Sequence, residues 1–266
     1  MVRLQDQGST VRPDALAAEE PLEIRIRGEA LTVTMRTPGQ DFDLVAGFLV
    51  SEGLVTGPDG LTALRYCAGT DADGVNTYNV IDAIPSGAAR VPVSMHRNLL
   101  TSSACGICGR ETIESIRGRV PYDLTADGLR ITADTLYGLP DTLRGAQKVF
   151  DSTGGLHAAG LFTASGELLC LREDVGRHNA VDKVVGWALR EGRLPLTGHV
   201  LMVSGRASFE LTQKAAMAGV PLLAAVSAPS SLAVDLAADL GLTLVGFLRG
   251  RSANVYNAPE RITTAS

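Results

Sequence analysis

Hydrophobic and polar positions follow different patterns in the two halves of the chain. From Leu22 apolar and polar residues alternate, Gly28-Glu29 interrupts the alternation, and a second alternating run begins at Leu31. Alternation over short runs is typical of half-buried β-strands, and a glycine between two such runs favours a hairpin. The N-terminal half is therefore predicted to be rich in β-structure.

One helix interrupts this β-rich region. Pro38-Gly39 ends the second strand, the residues from Phe42 to Glu52 are predicted to form a helix, and Gly53 ends it. We expect the side chain of Asp41 to cap the N-terminus of this helix. Further strands are predicted near Leu64, over 75–84 and over 91–95.

The C-terminal half alternates strands and helices. Strands are predicted over 167–172, 199–203, 221–226 and 242–247, and helices over 179–190, 209–218 and 232–240. Strands that alternate with helices of about ten residues are typical of βα units, which build parallel sheets. The predicted class is therefore α/β, with a mostly parallel sheet in the C-terminal core and a smaller, β-rich N-terminal lobe.

This change of pattern also predicts a domain organisation. Residues 1–20 are polar and are expected to form a mobile tail. Residues 21–125 are assigned to the β-rich lobe and residues 126–266 to the α/β core. The boundary is placed only loosely, between Cys108 and Gln147, because the pattern from Pro121 to Pro140 is ambiguous.

Composition and charge exclude several classes of protein. With 45% apolar and 20% charged residues the chain is expected to be globular, not disordered. The apolar runs are shorter than the roughly 20 residues of a membrane span, and the N-terminus lacks the apolar core of a signal peptide. The net charge of −5 argues against nonspecific nucleic-acid binding. We expect a cytoplasmic protein that binds neither nucleic acid nor membrane.

Two cysteines separated by two residues are the strongest local sign of chemistry. Cys105 and Cys108 lie in a stretch rich in Gly and Ser, which we predict to be an exposed loop. Arg110 and the start of a helix predicted after it would lower a thiol pKa and favour the nucleophilic thiolate. The alternative is half of a zinc site, completed by Cys67, Cys170 or a histidine. The sequence contains no second close pair of ligands, so we favour reactive cysteines and expect no zinc.

Small and basic residues follow three of the predicted C-terminal strands. These segments are Ser204–Ser208, Ser227–Ser231 and Leu248–Ser252. If the strands are parallel, the three segments meet at the carboxyl edge of the sheet, where open α/β sheets bind ligands. Glycine lets a ligand approach the backbone, and Arg206, Arg249 and Arg251 suit phosphate oxygens. We predict a site for a large anionic ligand. For any single residue, a serine that caps a helix or an arginine that faces water is the simpler interpretation.

A dense polar group begins another predicted helix. Arg177, His178, Asp182 and Lys183 lie together in the segment from Gly176 to Lys183. Their spacing is equally compatible with a functional group and with a solvated first turn whose charges pair.

Six segments together resemble a known family. They are Ser103-Ala-Cys-Gly-Ile-Cys-Gly, Thr153-Gly-Gly-Leu-His-Ala-Ala, Glu173-Asp-Val-Gly-Arg-His-Asn-Ala-Val-Asp-Lys, Ser204-Gly-Arg-Ala-Ser-Phe-Glu-Leu, Ser227-Ala-Pro-Ser-Ser-Leu-Ala and Gly246-Phe-Leu-Arg-Gly-Arg. With them the chain resembles the formate dehydrogenase accessory sulfurtransferase (FdhD) family from about Leu22 to Tyr256.

The resemblance implies a fold and a function. The fold would be similar to cytidine deaminase, and the protein would be a homodimer. The function would be to carry sulfur, as a cysteine persulfide, from a cysteine desulfurase to the bis-molybdopterin guanine dinucleotide cofactor of formate dehydrogenase. Cys105 would be the persulfide carrier and Cys108 its helper. GDP would bind as a fragment of the cofactor. The predicted cofactor-binding residues are Ser204, Gly205, Arg206, Ser227, Phe247, Leu248, Arg249, Gly250, Arg251 and Ser252.

Three other functions compete with this interpretation. A zinc deaminase needs a His/Cys-x-Glu motif followed by Pro-Cys-x-x-Cys. Here Ala158-Ala159 follows His157 and no proline precedes Cys105, so this chemistry is absent. The alternative within the family context is a noncatalytic chaperone that binds the cofactor and hands it on. A zinc-stabilised interaction module is the third.

Overall fold

The computed structural model describes residues 1–6, 8–67, 69, 77–86 and 116–264. Within these ranges there are fourteen strands in four sheets and six α-helices. The strands are β1 (Val2–Gln5), β2 (Gly8–Val11), β3 (Glu20–Ile26), β4 (Glu29–Arg36), β5 (Leu61–Tyr66), β6 (Val80–Pro85), β7 (Ile131–Thr132), β8 (His157–Thr163), β9 (Leu168–Asp174), β10 (His199–Val203), β11 (Leu222–Ala225), β12 (Thr243–Arg249), β13 (Ser252–Val255) and β14 (Ile262–Thr263). The helices are α1 (Asp41–Ser51), α2 (Ala133–Ala146), α3 (Lys148–Thr153), α4 (Arg177–Arg190), α5 (Phe209–Met217) and α6 (Ser231–Leu240).

The N-terminal half forms a four-stranded sheet in the order β4-β3-β6-β5. β3 and β4 pair antiparallel, so the predicted hairpin is confirmed. β1 and β2 form a separate exposed hairpin in the region expected to be a tail. The strand predicted over 91–95 lies outside the described residues. The division of the chain at residue 125 stays a prediction.

The C-terminal half forms a six-stranded sheet in the order β13-β12-β11-β10-β8-β9. β10, β11 and β12 are parallel, but the other three pairings are antiparallel. The α/β class is confirmed, whereas the expectation of a mostly parallel sheet is wrong, because the sheet is mixed. The reason is that β8 enters antiparallel to β10 and returns through a tight turn at Gly166 (φ 86°) as β9. A likeness to cytidine deaminase stays a prediction.

The prediction that Asp41 caps α1 is also wrong. The N-cap position is Gln40, in a left-handed conformation (φ 52°) and without a side-chain hydrogen bond to the helix. Asp41 is instead buried as the first residue of α1, where it accepts hydrogen bonds from Arg36 Nε (3.1 Å) and Nη2 (3.0 Å). An unpaired buried guanidinium destabilises the fold more than an uncapped helix does, so Asp41 pairs with Arg36.

The six-stranded sheet lies between helices because successive side chains of its strands point to opposite faces, so that both faces are apolar. Leu201 of β10 joins one apolar cluster with α1, α4, α5 and α6. Val200 and Met202 belong to a second cluster with α2 on the opposite face. The first cluster also contains Leu22 and Ile24 of β3, so one core continues between the two halves. In the part of the chain described here, no helix combines the length and apolar character needed to cross a membrane.

Two glycines bring α1 and α4 into backbone contact. A Cβ atom at Gly47 would overlap the carbonyl oxygen of Asp182, and one at Gly186 would overlap the carbonyl oxygen of Asp43. The carboxylates of both aspartates are buried, and Asp182 is held by Lys214 Nζ at 2.8 Å. The two halves are therefore joined at a crossing that has no room for a side chain.

Candidate functional site

The three segments that follow β10, β11 and β12 lie together, as the sequence predicts. Ser227 N donates to Gly205 O (3.3 Å), and Phe247 N donates to Ser227 O (3.1 Å). Ser230 N donates to Ala207 O at 3.0 Å. The parallel arrangement of the three strands therefore places their carboxyl ends and following segments at one edge of the sheet.

Some serines in these segments have structural roles. Ser208 accepts a hydrogen bond from Leu211 N at the start of α5, and Ser230 accepts one from Ala233 N at the start of α6. Both are helix caps, the simpler interpretation that the sequence left open. Ser204 differs, because its Oγ accepts a hydrogen bond from Ala158 N (2.9 Å) in β8 and it also faces a cavity.

A cavity of about 670 Å³ opens at this edge of the sheet. Its walls include Ser204, Leu248, Arg249 and Gly250, four of the ten residues predicted to bind the cofactor. The other six lie in the same segments but outside the walls of this cavity: Gly205, Arg206, Ser227, Phe247, Arg251 and Ser252.

The opposite wall comes from residues that the sequence analysis did not assign to the site. It includes Arg144, Gln147 and Phe150 of the α2–α3 region, and His157 at the start of β8. The Arg144 guanidinium lies 4.7 Å from the centre of the Phe150 ring and 2.6 Å from Asp151. The Thr153-Gly-Gly-Leu-His157 motif was the one signal for this wall, because the pattern before it is ambiguous.

The backbone is strained where β12 approaches the cavity. Phe247 has a left-handed conformation (φ 53°), and the pairing register with β13 shifts between Gly246 and Arg249. The Phe247 ring is 39% exposed. Residues with strained backbone cluster at active sites, ligand sites and switch regions. A Cβ at Gly246 would lie 2.8 Å from Pro229 Cδ, so the close approach of these segments also requires glycine there.

The two arginines of this segment have different environments. Arg249 donates through Nε to Val226 O (3.0 Å), and the residue lines the cavity. Arg251 is turned towards α2, where it pairs with Asp134 at 2.5 Å and lies 5.4 Å from the centre of the Tyr137 ring. Arg249 is therefore the better placed of the two for an anion in the cavity.

His157 is the histidine of the cavity wall. Burial lowers its pKa, the nearby charges of Arg177 and His178 lower it further, and Asp174 opposes them. His178 Nε2 lies 2.6 Å from Glu210 Oε2, and this contact lowers the pKa of Glu210 against the effect of burial. Burial and these neighbouring charges therefore favour the neutral form of His157.

Comparison with known proteins identifies the family. The model of the FdhD/NarQ family matches residues 17–263. The chain belongs to the FdhD/NarQ family. Among curated members, the "Sulfur carrier protein FdhD" of Nocardia farcinica is 58% identical to this chain, over 100% of this chain and 94% of that protein. The protein of the same name from Streptomyces coelicolor is 57% identical, over 98% of this chain and 94% of that protein.

A solved member of the family shares the fold. It is the crystal structure of a protein from Desulfotalea psychrophila, provisionally assigned as a formate dehydrogenase accessory protein. The TM-score is 0.77 at 25% identity, over 99% of this chain and 97% of that chain. The mixed α/β architecture described above is therefore shared with that protein.

In the polar group at the start of α4 of this chain, Lys183 has a structural role. Lys183 and Asp174 are fully buried and form an ion pair of 2.7 Å. Lys183 also donates to Thr37 O (2.8 Å), and Asp174 accepts from Asn179 Nδ2 (2.9 Å) and Gly176 N (2.8 Å). The network fixes the beginning of α4, and with it Arg177 and His178, against β9 and the segment after β4.

The predicted catalytic residues Cys105 and Cys108 lie outside the described residues. Of the other two cysteines, Cys170 is buried, and burial raises its pKa to about 12, so it stays a neutral thiol. Cys67 is half-buried. Among the described residues, no three His, Cys, Asp or Glu side chains are grouped so that they could hold a metal ion.

Proposed function

We propose that this chain is a sulfur carrier that serves formate dehydrogenase. It accepts sulfur from a cysteine desulfurase as a persulfide on Cys105 and delivers it to the bis-molybdopterin guanine dinucleotide cofactor, with Cys108 in a supporting role. The names of its relatives support the carrier function, and the assignment of the solved family member supports the link to formate dehydrogenase. We further propose that it acts in the cytoplasm as a homodimer.

The cavity at the carboxyl edge of the sheet is the observation on which the cofactor part of this proposal rests. Its volume of about 670 Å³ lies within the usual range of small-molecule sites. Arg249 supplies a cation for phosphate oxygens, and the stacked pair of Arg144 and Phe150 supplies a flat surface against which a base can pack. These walls suit the guanine nucleotide part of the cofactor, so GDP is the natural fragment to test.

The sulfur transfer itself needs no oxidant. The Cys105 thiolate attacks the outer sulfur of the donor persulfide, a new S–S bond forms, and the donor cysteine leaves as a thiolate. At delivery the S–S bond of the persulfide would break, Cys105 would leave as a thiolate, and the outer sulfur would pass to the cofactor, which would supply the electron pair of the new bond. Arg110 and the helix predicted after it would stabilise the thiolate form in both steps.

Mass spectrometry with single cysteine variants tests the carrier role. After incubation with a cysteine desulfurase and cysteine, the loop peptide of the wild type is expected to gain about 32 Da, one sulfur atom, on Cys105. Cys105→Ala should lose both this mass and the activation of formate dehydrogenase, whereas Cys108→Ala should keep the label and part of the activation. A label confined to Cys108 contradicts the assignment. Full activation by Cys105→Ala would instead favour the noncatalytic chaperone.

GDP binding tests the cavity separately. Arg249→Ala is expected to weaken GDP binding by about 1.5–3 kcal/mol, the usual loss for a charged hydrogen bond. Arg193→Ala is the matched control, because Arg193 is exposed beyond the far end of α4, where it stacks on Trp187. Equal GDP affinity of Arg249→Ala and the wild type would show that the nucleotide binds elsewhere.

A further inference from the structure

His157 lies where the cavity meets the start of α4. It is the first residue of β8, lines the cavity, and is paired in the sheet with Asp174 of β9. Its ring is close to the backbone after β10, since a Cβ built on Gly205 would lie 3.4 Å from His157 Nδ1. The imidazole is therefore held by the ends of three strands and is still accessible from the cavity.

Arg177 lies near this histidine, at the start of the next helix. It is the first residue of α4, and its charge is close enough to lower the pKa of His157. Its Nε atom is buried and has no hydrogen-bond partner among the described residues. Two other arginines near the same helix are fully engaged, since Arg36 pairs with Asp41 and Arg172 pairs with Asp43. The charge of Arg177 also lowers the pKa of Glu210, so one carboxylate lies nearby without forming an ion pair with Arg177 among the described residues. A half-buried guanidinium whose Nε atom has no acceptor is suited to binding an anion.

Charged groups of both signs lie around His157. They are Glu173 and Asp174 of β9, Arg177 and His178 of α4, Glu210 of α5, Arg206 after β10, and Asp141, Arg144 and Arg249 of the cavity walls. The carboxylate of Asp174 is already bound by Lys183 and Asn179. Glu210 pairs with His178, and Asp151 pairs with Arg144. Arg177, Arg206 and Arg249 have no carboxylate partner among the described residues.

We propose that His157 on the cavity wall and Arg177 at the neighbouring helix start together bind a phosphate or pyrophosphate group, and that His157 takes up a proton when the group binds. The inference rests on the proposed function only for the expectation that the group belongs to a nucleotide. Free inorganic pyrophosphate offers the same chemistry, so the subsite can be tested without the nucleotide.

The electrostatics of the site explain why His157 takes up a proton when an anion binds. Without a ligand, burial and Arg177 keep His157 neutral. A bound anion compensates the charge of Arg177 and accepts a hydrogen bond from an imidazolium, so both effects raise the pKa of His157. Affinity must then increase as the pH falls through the pKa of the bound state, and level off below the pKa of the free state. Each unit of difference between the two corresponds to about tenfold in affinity.

NMR spectroscopy measures this proton directly. The chain has four histidines, and His157→Gln identifies the Cε1–H signal of His157. We expect its pKa to rise by about one unit or more with saturating inorganic pyrophosphate, over a titration from about pH 5.5 to 8.5. The pyrophosphate affinity of the wild type, divided by that of His157→Gln, should increase about tenfold as the pH falls through this range. Protonation of pyrophosphate itself affects both proteins equally and cancels in this ratio.

Matched variants separate a local effect from a general one. Arg177→Gln should weaken pyrophosphate binding at least about tenfold, and Arg177→Lys, which keeps the charge, should weaken it less. Arg193→Gln removes the same charge beyond the other end of α4, and His199→Gln removes a histidine from the amino end of β10, so both should bind as wild type. Thermal unfolding of each variant confirms that it is folded.

The outcomes distinguish this subsite from the proposed function. An unchanged pKa of His157 at saturating pyrophosphate, no pyrophosphate binding at all, or wild-type affinity in folded Arg177→Gln overturns the subsite. If pyrophosphate raises the pKa of His157 but GDP does not bind, the subsite stands and the nucleotide part of the proposed function fails. If GDP binds and leaves the pKa of His157 unchanged, the subsite fails and the nucleotide cavity stands.

Discussion

Replacement of Lys183 by methionine is expected to destabilise the protein strongly. Lys183 and Asp174 are at most 1% exposed, and their ion pair of 2.7 Å lies between α4 and β9. Methionine keeps the apolar volume of the lysine stem but removes the charge, so the main change is a buried carboxylate without a cation. Removal of one partner from a buried ion pair costs about 3–5 kcal/mol.

The structure places the expected loss at the lower end of this range. Asp174 retains three neutral donors, which are Thr37 N at 3.1 Å, Gly176 N at 2.8 Å and Asn179 Nδ2 at 2.9 Å. These donors still solvate the carboxylate, while the acceptor Thr37 O loses its bond to Lys183. We therefore expect the free energy of unfolding to fall by about 3 kcal/mol, out of the 5–15 kcal/mol usual for a domain.

Urea unfolding followed by tryptophan fluorescence measures this loss. Trp187 is the only tryptophan of the chain and lies in the same helix as Lys183, so it reports on the affected region. The dependence on urea concentration should keep its slope while the midpoint falls. The double variant Asp174→Asn/Lys183→Met should recover part of the loss, because the uncompensated charge is gone. A loss below about 1 kcal/mol in Lys183→Met would refute the electrostatic argument.

Two further predictions concern other buried positions. Gly186→Ala should lower the free energy of unfolding by at least about 3 kcal/mol, because its methyl group would overlap the carbonyl oxygen of Asp43. Gly138→Ala in α2, where the space is open, should raise the free energy of unfolding by up to about 1 kcal/mol. Urea midpoints measure both, and equal effects would contradict the helix contact. With its pKa raised to about 12, Cys170 should be about one part in ten thousand thiolate at pH 8 and should resist alkylation until urea unfolds the chain. Peptide mass spectrometry detects this, and labelling in the native state would contradict the burial.

Much of the C-terminal sheet could be predicted because its signals are local. β10, β11 and β12 are apolar runs, each followed by a turn with small residues, and β10 and β11 are each followed by a helix, which makes them parallel. β8 escaped prediction since Ala158, Ala159 and Gly160 have low β-propensity. These residues form a strand because β9 and β10 enclose them on both sides, an effect of tertiary structure.

The candidate site was predictable only on one side for a similar reason. The segments after the three strands are visible in the sequence, and their meeting point follows from parallel topology. The wall with Arg144 and Phe150 depends on how α2 packs across the far face of the sheet, which no local pattern encodes. Likewise, the pairing of Arg251 with Asp134 joins residues far apart in the chain.

The contact between Gly47 and Gly186 has a consequence for synthesis of the chain. About 140 residues separate the two glycines, so α1 leaves the ribosome long before the helix that covers it. At about 5–20 residues per second, the apolar face of α1 waits roughly 7–30 s for α4. During this time Leu44 and Leu49 have no permanent neighbours from that helix. The nascent chain is therefore expected to depend on chaperones that shield this face until residue 186 emerges.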